Sequence, residues 1–302
     1  MIKNIVTMTS TVTSTMTTSM ASNVSPTYLK NKNAHPLDSN IVFDEGPHIY
    51  TINGDSDYTS VTTWNHANFE KFDADKVITK MMKGRFWNKN NKYYGMTPEE
   101  IKVLWNKNGK DAAEAGTKLH YDIECFYNNC PNENNSVEYG YFKNFQEKYS
   151  DLKPYRTEWE IYDEELKLAG SIDMVYENDD GTLLIYDWKR CKDIPKANIY
   201  SKSSTNEIIS HLPDTKFWHY SLQLNTYKAI LEKNYNKKIT DMYLVCLHPS
   251  NKNYQRIQVA NLSSEIADLF EQRREQLKNK QQENKQQENK RQENTQQENT
   301  QQ

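Results

Sequence analysis

The clearest pattern of hydrophobic and polar positions along the chain is a pair of short, mostly apolar runs that flank a polar turn. The first run covers residues 170–176, the second covers 183–190, and the turn between them, 178–181, reads Asn-Asp-Asp-Gly. Runs rich in Val, Ile, Leu and Tyr on either side of such a turn are typical of a β-hairpin. Each run carries one carboxylate in its interior, Asp173 and Asp187, where a charge is unusual in a strand.

The hairpin pattern predicts a place where two carboxylates converge. Asp173 and Asp187 lie about equally far from the turn, so antiparallel pairing sets them opposite one another, within one register position. Side chains alternate along a strand, so Lys189 shares a face with Asp187, whereas Tyr186 and Trp188 point to the other face. Paired acids in an apolar strand need a cation between them, and carboxylates suit Mg²⁺ or Mn²⁺. A divalent-metal site is therefore indicated, with a hairpin whose acids simply face water as the alternative.

Helical periodicity appears upstream of the hairpin. Apolar residues at helical spacing predict a helix over 111–127, which puts His120 and Glu124 one turn apart on one face. Gly116, one further turn back, would leave room for close approach of a backbone. A single histidine on a helix is more often structural than a metal ligand, but a hairpin of this type downstream reverses that expectation.

Downstream, residues 218–231 predict an amphipathic helix that carries Gln223 and Tyr227 one turn apart. An amide and an aromatic ring at that spacing usually decorate a helix face, so this pair by itself is weak evidence of function. Residues 241–248 are almost continuously apolar and predict a buried strand.

The first half of the chain predicts smaller elements. Residues 48–54 and 58–64 together suggest a small hairpin, and 73–82 suggests a helix. Residues 97–105 begin with Thr-Pro-Glu-Glu, a capping box with proline at the first helical position. We expect that helix to end near residue 105 and to lead towards the separate helix of His120.

Four short motifs follow one another along the chain: Gly116-x-x-x-His120-x-x-x-Glu124, Gly170-x-x-Asp173, Asp187-x-Lys189 and Gln223-x-x-x-Tyr227. In this order they closely resemble the PD-(D/E)XK nuclease superfamily, in particular its RecB-like and phage-exonuclease-like branch, over about residues 110–250. The resemblance implies an α/β fold with a restriction-endonuclease-like core, in which a mixed central β-sheet is flanked by helices.

The resemblance also implies roles for the residues near the hairpin. Asp173 and Asp187 would bind a catalytic Mg²⁺ or Mn²⁺ ion, with the backbone carbonyl of Trp188 as a further ligand. His120 would add a ligand from the helix. Lys189 would orient the attacking water and stabilise the developing charge.

Other implied roles are less specific. Gln223 and Tyr227 would contact the substrate backbone or brace the site. Glu124 is a further candidate metal ligand, and so is Glu158, because family members often carry a glutamate on the preceding strand. Glu160 lies on the same strand-like segment, and the resemblance leaves open which of these two glutamates matters.

Several RecB-like relatives hold an iron–sulfur cluster with four cysteines, one upstream and three near the C-terminus. The four cysteines of this chain do not follow that pattern, because none comes after the last of them: Cys125, Cys130, Cys191 and Cys246. We therefore expect no iron–sulfur cluster. Scattered cysteines without a signal peptide fit reduced thiols in an intracellular compartment.

The formal net charge of −3 does not indicate a whole-protein field that attracts a polyanion. Locally, residues 76–94 contain six Lys or Arg and no acid, interleaved with aromatic residues, and a second basic run directly follows the Asp187 strand. Basic residues can follow phosphates and rings can stack on unpaired bases. Six residues from these runs are predicted to contact DNA: Lys83, Arg85, Trp87, Lys89, Arg190 and Lys192. An ordinary solvated helix and loop with partly buried aromatics is the alternative.

Three segments are predicted along the chain. Residues 1–40 form a low-complexity segment rich in Ser and Thr that matches neither a secretory signal nor a membrane span. Residues 41–278 form the nuclease domain. Residues 279–302 repeat a five-residue unit of Gln, Glu and Asn without an apolar residue, which predicts a disordered tail or a frayed solvated helix. The expected protein is soluble and intracellular, in the cytoplasm or nucleus, with a viral origin as one option.

These features together predict a metal-dependent deoxyribonuclease, with an exonuclease of DNA replication, recombination or repair as the first choice. It would bind DNA alone, as a homo-oligomer or within a larger complex, and without a membrane. The alternatives are a non-catalytic nucleic-acid-binding subunit, a structure-specific endonuclease of the same fold and an enzyme that acts on RNA. Because Asp173, Asp187 and Lys189 are all present, the sequence argues against loss of catalysis.

Overall fold

The structure, a computed structural model, describes residues 26–198 and 202–300. Within these residues, eight strands form two sheets: β1 Ile41–Asp44, β2 Ile49–Ile52, β3 Thr59–Ser60, β4 Lys153–Asp163, β5 Leu168–Glu177, β6 Leu183–Lys189, β7 Ile239–Cys246 and β8 Gln255–Gln258. The same residues contain seven α-helices: α1 Tyr28–Lys32, α2 Val61–His66, α3 Ala74–Met82, α4 Pro98–Tyr127, α5 Val137–Lys148, α6 Lys216–Asn234 and α7 Ser263–Thr300. The prediction of a mixed sheet flanked by helices is confirmed.

The central sheet has six strands and mixed directions. β5 lies between β4 and β6 and pairs antiparallel with both, while β6 pairs parallel with β7 and β7 pairs antiparallel with β8. The short strand β3 joins in parallel at the beginning of β5. β1 and β2 form a separate two-stranded sheet.

One edge of β5 is shared by two partners, and they leave a gap between them. β4 pairs along the whole of the other edge, so β3 and β6 must both use this one. β3 pairs with residues 168–169 and β6 with residues 174–177. Within the described chain, residues 170–173 therefore pair with no strand on this edge, and we call this stretch the β5 gap.

Two apolar cores cover the two faces of the sheet. On one face, Ile185 of β6 belongs to a cluster with Leu222, Leu224 and Ile230 of α6. On the other face, Tyr186 and Trp188 pack with buried residues of α4 and α5. The alternation predicted for β6 is thus confirmed, because its odd and even positions face different helices.

The N-terminal part of the chain folds differently from the prediction. Helical turns begin at Tyr28, before the predicted domain boundary at residue 41, and the backbone N–H of Leu29 donates to the side chain of Asn128. The predicted second strand, 58–64, is instead the short β3 followed by α2, because the Ser60 side chain caps that helix by accepting from Thr63 N–H. Residues 1–25, which hold most of the low-complexity segment, lie outside the described residues.

The two helices predicted over 97–105 and 111–127 are one continuous helix. α4 has 30 residues and begins at the predicted capping box, in which Thr97 and Glu100 bond each other's backbone N–H groups. Residues 106–110 include Gly109, but one glycine costs a helix interior only about 1 kcal/mol and does not end it. The helix that carries His120 and the helix that begins at the capping box are therefore the same helix, about 45 Å long at 1.5 Å per residue.

The C-terminal repeat segment, predicted as a disordered tail or a frayed solvated helix, is helical to residue 300 as the end of α7. Its first turns pack on the core through Ile266, Leu269 and Phe270. Among the helices of the described residues, none combines the length and apolar character needed to cross a membrane.

Candidate active site

Three carboxylates lie side by side across three neighbouring strands at the β5 gap. The β5–β6 pairing ends with Met174 and Tyr186, and Asp173 and Asp187 are the next residues beyond that last pair, which is the relation predicted for them. The β4–β5 register on either side of residue 158 likewise sets Glu158 opposite Asp173. We call Glu158, Asp173 and Asp187 the acid row.

A helix brings an imidazole to the acid row. The Nδ1 atom of His120 on α4 lies 3.5 Å from a carboxylate oxygen of Asp173 and 3.9 Å from one of Glu158. Ligand atoms of these three residues all lie within 4.8 Å of one another, and among the described residues they form the one group able to hold a metal ion. The structure thus brings together His120 and Asp173, which the sequence analysis named as candidate metal ligands. Of the two glutamates on β4, Glu158 lies in this group and Glu160 does not.

Asp187 and Lys189 form a buried ion pair beside this group. The Lys189 Nζ lies 2.6 Å from an Asp187 carboxylate oxygen and 4.6 Å from the centre of the Tyr220 ring on α6. Burial alone would lower the pKa of Lys189, but the charges of Asp187 and Asp173 outweigh burial and raise it. Lys189 is therefore positively charged and attracts the neighbouring carboxylates of the acid row.

The acids oppose one another's ionisation. Burial and then the charge of Asp173 raise the pKa of Asp187 to about 7. The same two causes, in the same order, raise the pKa of Glu158 well above its ordinary value. Negative charge is therefore disfavoured here unless a cation balances it.

The backbone and neighbours of Glu158 are unusual for a strand. Glu158 has a φ of +40°, in the left-handed region, which is strained for a residue with a Cβ and is held only when its surroundings determine it. Arg156 and Trp159, on either side, both donate to the carboxylate of Asp38, at 2.8 and 3.2 Å. The hydroxyl of Ser171 donates to Glu158 at 2.8 Å. These bonds fix β4 around the strained residue.

The β5 gap is closed by a tyrosine from α6. A Cβ built on Gly170 would lie 2.7 Å from a ring carbon of Tyr227, so only glycine fits under this ring. The Gln223 side-chain amide donates to the Tyr227 hydroxyl at 3.2 Å, and both residues are buried. The predicted Gly170 and Gln-x-x-x-Tyr motifs therefore meet, and their contact fixes α6 against β5.

Two further backbone and side-chain details bear on predicted ligands. The backbone N–H of Trp188 donates to Asp173 at 2.9 Å, where the β5–β6 ladder ends, and its carbonyl as a metal ligand stays a prediction. Glu124 lies outside the metal-binding group, and its pKa is raised to about 7, first by burial and then by the charge of Glu160. Glu160 itself lies 3.7 Å from Lys30. Gly116 has no atom within 4 Å of its Cβ position, so the space predicted on this helix face is open, and no protein backbone fills it among the described residues.

The predicted DNA contacts fall in two places. Four of the six lie in the segment between α3 and α4: Lys83, Arg85, Trp87 and Lys89. Beside the site, Arg190 donates to Glu138 at 2.7 Å, so part of its charge is already paired. The backbone carbonyl of Lys192 accepts a bond from Asn251.

Two residues near the acids were missed by the sequence analysis. Ser171 sits inside the quoted motif but carried no predicted role, and Tyr50 comes from β2, outside the motifs. Burial raises the pKa of Tyr50, as do the charges of Glu158 and Glu160, so its hydroxyl lies within their electrostatic reach. A tyrosine on a distant hairpin carries no local signal that could have revealed this.

The cysteines occupy two separate places. The Sγ atoms of Cys191 and Cys246 lie 3.4 Å apart at the end of β6 and β7, whereas Cys125 and Cys130 lie at the C-terminal end of α4. The expectation that no iron–sulfur cluster is bound stays a prediction.

The donor set fits a hard divalent cation. Carboxylate oxygens from Glu158 and Asp173, with the nearby Asp187, suit Mg²⁺ or Mn²⁺, and an imidazole is compatible with Mn²⁺. The raised pKa values of Glu158 and Asp187 indicate that the one nearby ammonium, that of Lys189, does not fully offset the burial and mutual repulsion of these acids. The fold and this acidic centre together place the protein in a class: α/β proteins with a candidate divalent-metal site in the central sheet.

Comparisons with known proteins give the family. A family model described as the PD-(D/E)XK nuclease superfamily matches residues 106–301, about two thirds of the chain. This chain belongs to the PD-(D/E)XK nuclease superfamily, whose members generally use divalent metals. None of the curated proteins matches the sequence significantly.

Solved structures resemble the chain only distantly. One, from Eubacterium rectale, is provisionally named an exonuclease; it is 14% identical, with a TM-score of 0.35, over 72% of this chain and 78% of the other. Another, designated SSO0001, is 14% identical, with a TM-score of 0.31, over 72% of this chain and 76% of the other. The family assignment therefore rests on the family model.

Proposed function

We propose that this protein is a metal-dependent deoxyribonuclease that hydrolyses phosphodiester bonds at the acid row. The observation that carries the proposal is the convergence of His120, Asp173 and Glu158 within ligand distance of one another, beside the Asp187–Lys189 ion pair. These residues are far apart in the sequence and come from a helix and three strands. Nothing in the packing of an apolar core requires them to meet.

Each residue has a part in the proposed reaction. Asp173, Glu158 and His120 would hold the cation, and Asp187 would complete its environment while it orients Lys189. When bound, Mg²⁺ or Mn²⁺ supplies an activated water and offsets charge on the phosphate. The ammonium of Lys189 would hold the attacking water and stabilise the negative charge that develops on the phosphate oxygens.

Gln223 and Tyr227 are proposed to brace the site rather than touch substrate. Both are buried, and the Tyr227 ring fills the space above Gly170. A brace at this point keeps α6, and with it Tyr220, against Lys189. A displacement of about 1 Å in a catalytic group can reduce the rate about a hundredfold.

Exonuclease action on DNA is the first choice within this proposal, in replication, recombination or repair. The support is the resemblance of the four motifs to phage-exonuclease-like relatives. A structure-specific endonuclease, an RNA-directed enzyme and a non-catalytic binding subunit are the other outcomes that the test must separate.

The test uses purified protein with end-labelled linear DNA, closed circular DNA and RNA of the same sequence, each with Mg²⁺, Mn²⁺ or EDTA. We expect metal-dependent loss of linear DNA while circles survive. Cleaved circles would indicate an endonuclease, cleaved RNA a different substrate, and binding without cleavage a non-catalytic protein. Asp187→Asn should remove cleavage, and Asp179→Asn, at the exposed turn of the same hairpin, is the matched control.

A further inference from the structure

The basic segment belongs to a longer stretch of the chain that is mostly exposed or half-exposed. It consists of residues 72–110, which include α3, the connecting segment and the first half of α4, and we call it the basic arm. α3 packs on α4, and Lys102 pairs with Asp75 at 2.6 Å. Within the basic arm only Ile78 and Ile101 are buried. The remainder of the arm is therefore available as surface.

The charge of the basic arm is opposite to that of the rest of the chain. Residues 72–110 contain nine Lys or Arg and four Asp or Glu, a net charge of +5, in a chain whose net charge is −3. No acid occurs between Asp75 and Glu99. Some of the cations have partners, such as Lys76 with Glu70. Residues 83–92 contain four cationic side chains within ten positions and no acidic one.

Aromatic rings lie among these cations and face solvent. Phe72 is 73% exposed, Phe86 is 69% exposed and Tyr94 is 49% exposed. The guanidinium of Arg85 lies 4.6 Å from the centre of the Phe86 ring, and the Trp87 ring lies 5.9 Å from that of Tyr94. The alternative interpretation of this segment, a solvated loop with partly buried aromatics, does not describe these exposed rings.

The combination selects one kind of partner. A duplex offers phosphates to the cations but keeps the faces of its bases stacked inside, so it would leave the exposed rings without a role. An unpaired strand offers both phosphates and base faces, and each stacked base is worth about 1–3 kcal/mol. Charge complementarity and ring exposure together therefore favour a single strand.

We propose that the basic arm binds an unpaired DNA strand, with its cations on the phosphates and the rings of Phe86 and Tyr94 on the bases. This inference rests on the proposed function, because it names the form of the DNA that the nuclease receives. Lys102 and His120 are 18 residues apart on one helix, about 27 Å at 1.5 Å per residue. A stacked strand at about 3.4 Å per nucleotide covers that distance with about eight nucleotides.

The first test is binding in EDTA, which needs no cleavage. Fluorescence anisotropy compares a labelled single strand and a duplex of about 20 nucleotides, several site lengths of an aromatic groove. We expect the single strand to bind at least about tenfold more tightly, and Phe86→Ala with Tyr94→Ala to weaken it by about tenfold or more. Val103→Ala, 69% exposed on the same arm but without a ring, is the matched control.

Equal affinities for the two DNA forms, or an unaltered single-strand affinity in the ring variant, would overturn the proposal. Circular dichroism and thermal melting check that the ring variant folds. Strand binding without any cleavage would leave the arm proposal standing and remove the proposed nuclease function.

A second test uses cleavage of single strands of increasing length. We expect the KM of the wild type to fall as strands grow past about eight nucleotides, the length that reaches from site to arm. The ring variant should lose this gain while its kcat on long strands stays within about twofold of wild type. A KM that depends on length equally in both proteins would overturn the arm proposal and leave the nuclease function intact.

Discussion

The acid row and the basic arm carry opposite charges in opposite surroundings. The acid row lies in a gap of the central sheet, with Asp187 buried and Glu158 and Asp173 half-buried. Its members come from three strands, and His120 joins them from a helix. The basic arm is exposed, and most of its cations and rings come from one continuous stretch of sequence. A site for chemistry needs convergent groups shielded from water, whereas a surface that follows a flexible polyanion needs only local charge and exposed rings.

The difference has a consequence for mutations. Substitutions in the acid row should change turnover or metal binding and should be sensitive to small displacements. Substitutions in the basic arm should change affinity and its dependence on salt, with little effect on the chemical step. The following predictions test this division, from the largest expected effect to the smallest.

The largest effects are expected from substitution of Lys189 and Asp173, the two charged residues with proposed roles in water activation and metal binding. Lys189→Ala should lower the single-turnover rate by about a hundredfold or more, while metal and DNA binding remain, because the ammonium acts on developing charge. Asp173→Ala should lower the rate and also weaken Mn²⁺ binding measured by calorimetry. Lys153→Ala, an exposed lysine beside the same hairpin, is the control. Wild-type rates in Lys189→Ala would show that its assigned role is wrong.

Metal should stabilise the fold through the acid row. Without a cation, Glu158 and Asp187 resist ionisation, so a bound ion removes repulsion from the folded state alone. At a metal concentration about 100 times Kd the gain is about 2.7 kcal/mol. Thermal melting with Mn²⁺ and with EDTA measures it, and Asp173→Ala should lose most of the increase in Tm. An equal increase in both proteins would place the metal elsewhere.

Glycine-to-alanine substitutions should change the free energy of unfolding in opposite directions at the β5 gap and in the basic arm. Gly170→Ala puts a Cβ 2.7 Å from the Tyr227 ring and should destabilise the fold by about 1–3 kcal/mol. Gly109→Ala, in the basic arm with no atom within 4 Å, should stabilise it by about 1 kcal/mol. Urea denaturation measures both. In a Tyr227→Ala background the cost of Gly170→Ala should largely disappear, and a persistent cost would mean that the ring is not its cause.

Charge reversal in the basic arm should have the smallest effect near physiological salt, where exposed charges are screened. Lys83→Glu with Arg85→Glu should weaken DNA binding and reduce the slope of log K against log salt by about 1.4, at about 0.7 per phosphate contact on a single strand. Titrations between low and moderate salt measure this slope. An unchanged slope would mean that this stretch faces away from the DNA.

Local patterns predicted several elements well. The hairpin was specified by alternation and by the turn at 178–181, and its register by the equal spacing of Asp173 and Asp187 from that turn. The start of α4 was specified by the Thr97 capping box. These features depend on contacts between residues close in the chain, so the sequence displays them directly.

Other features depended on parts of the chain that are distant from one another. The choice of Glu158 over Glu160, the strained backbone there and the Asp38 carboxylate that holds its neighbours cannot be read from a strand-like pattern. The position of Tyr50 near the acids depends on how a separate small sheet packs.

Alternation, capping and composition act over a few residues, so the amino-acid sequence alone indicated the candidate site residues, the turn of the hairpin and the basic run. Long-range packing, in contrast, settled how β3 and β6 divide one edge of β5, how Tyr227 packs over Gly170 and how His120 reaches Asp173. The physical reason is that packing of a sheet between helices is a sum over long-range contacts. A short segment of sequence therefore does not specify which distant residues it will contact.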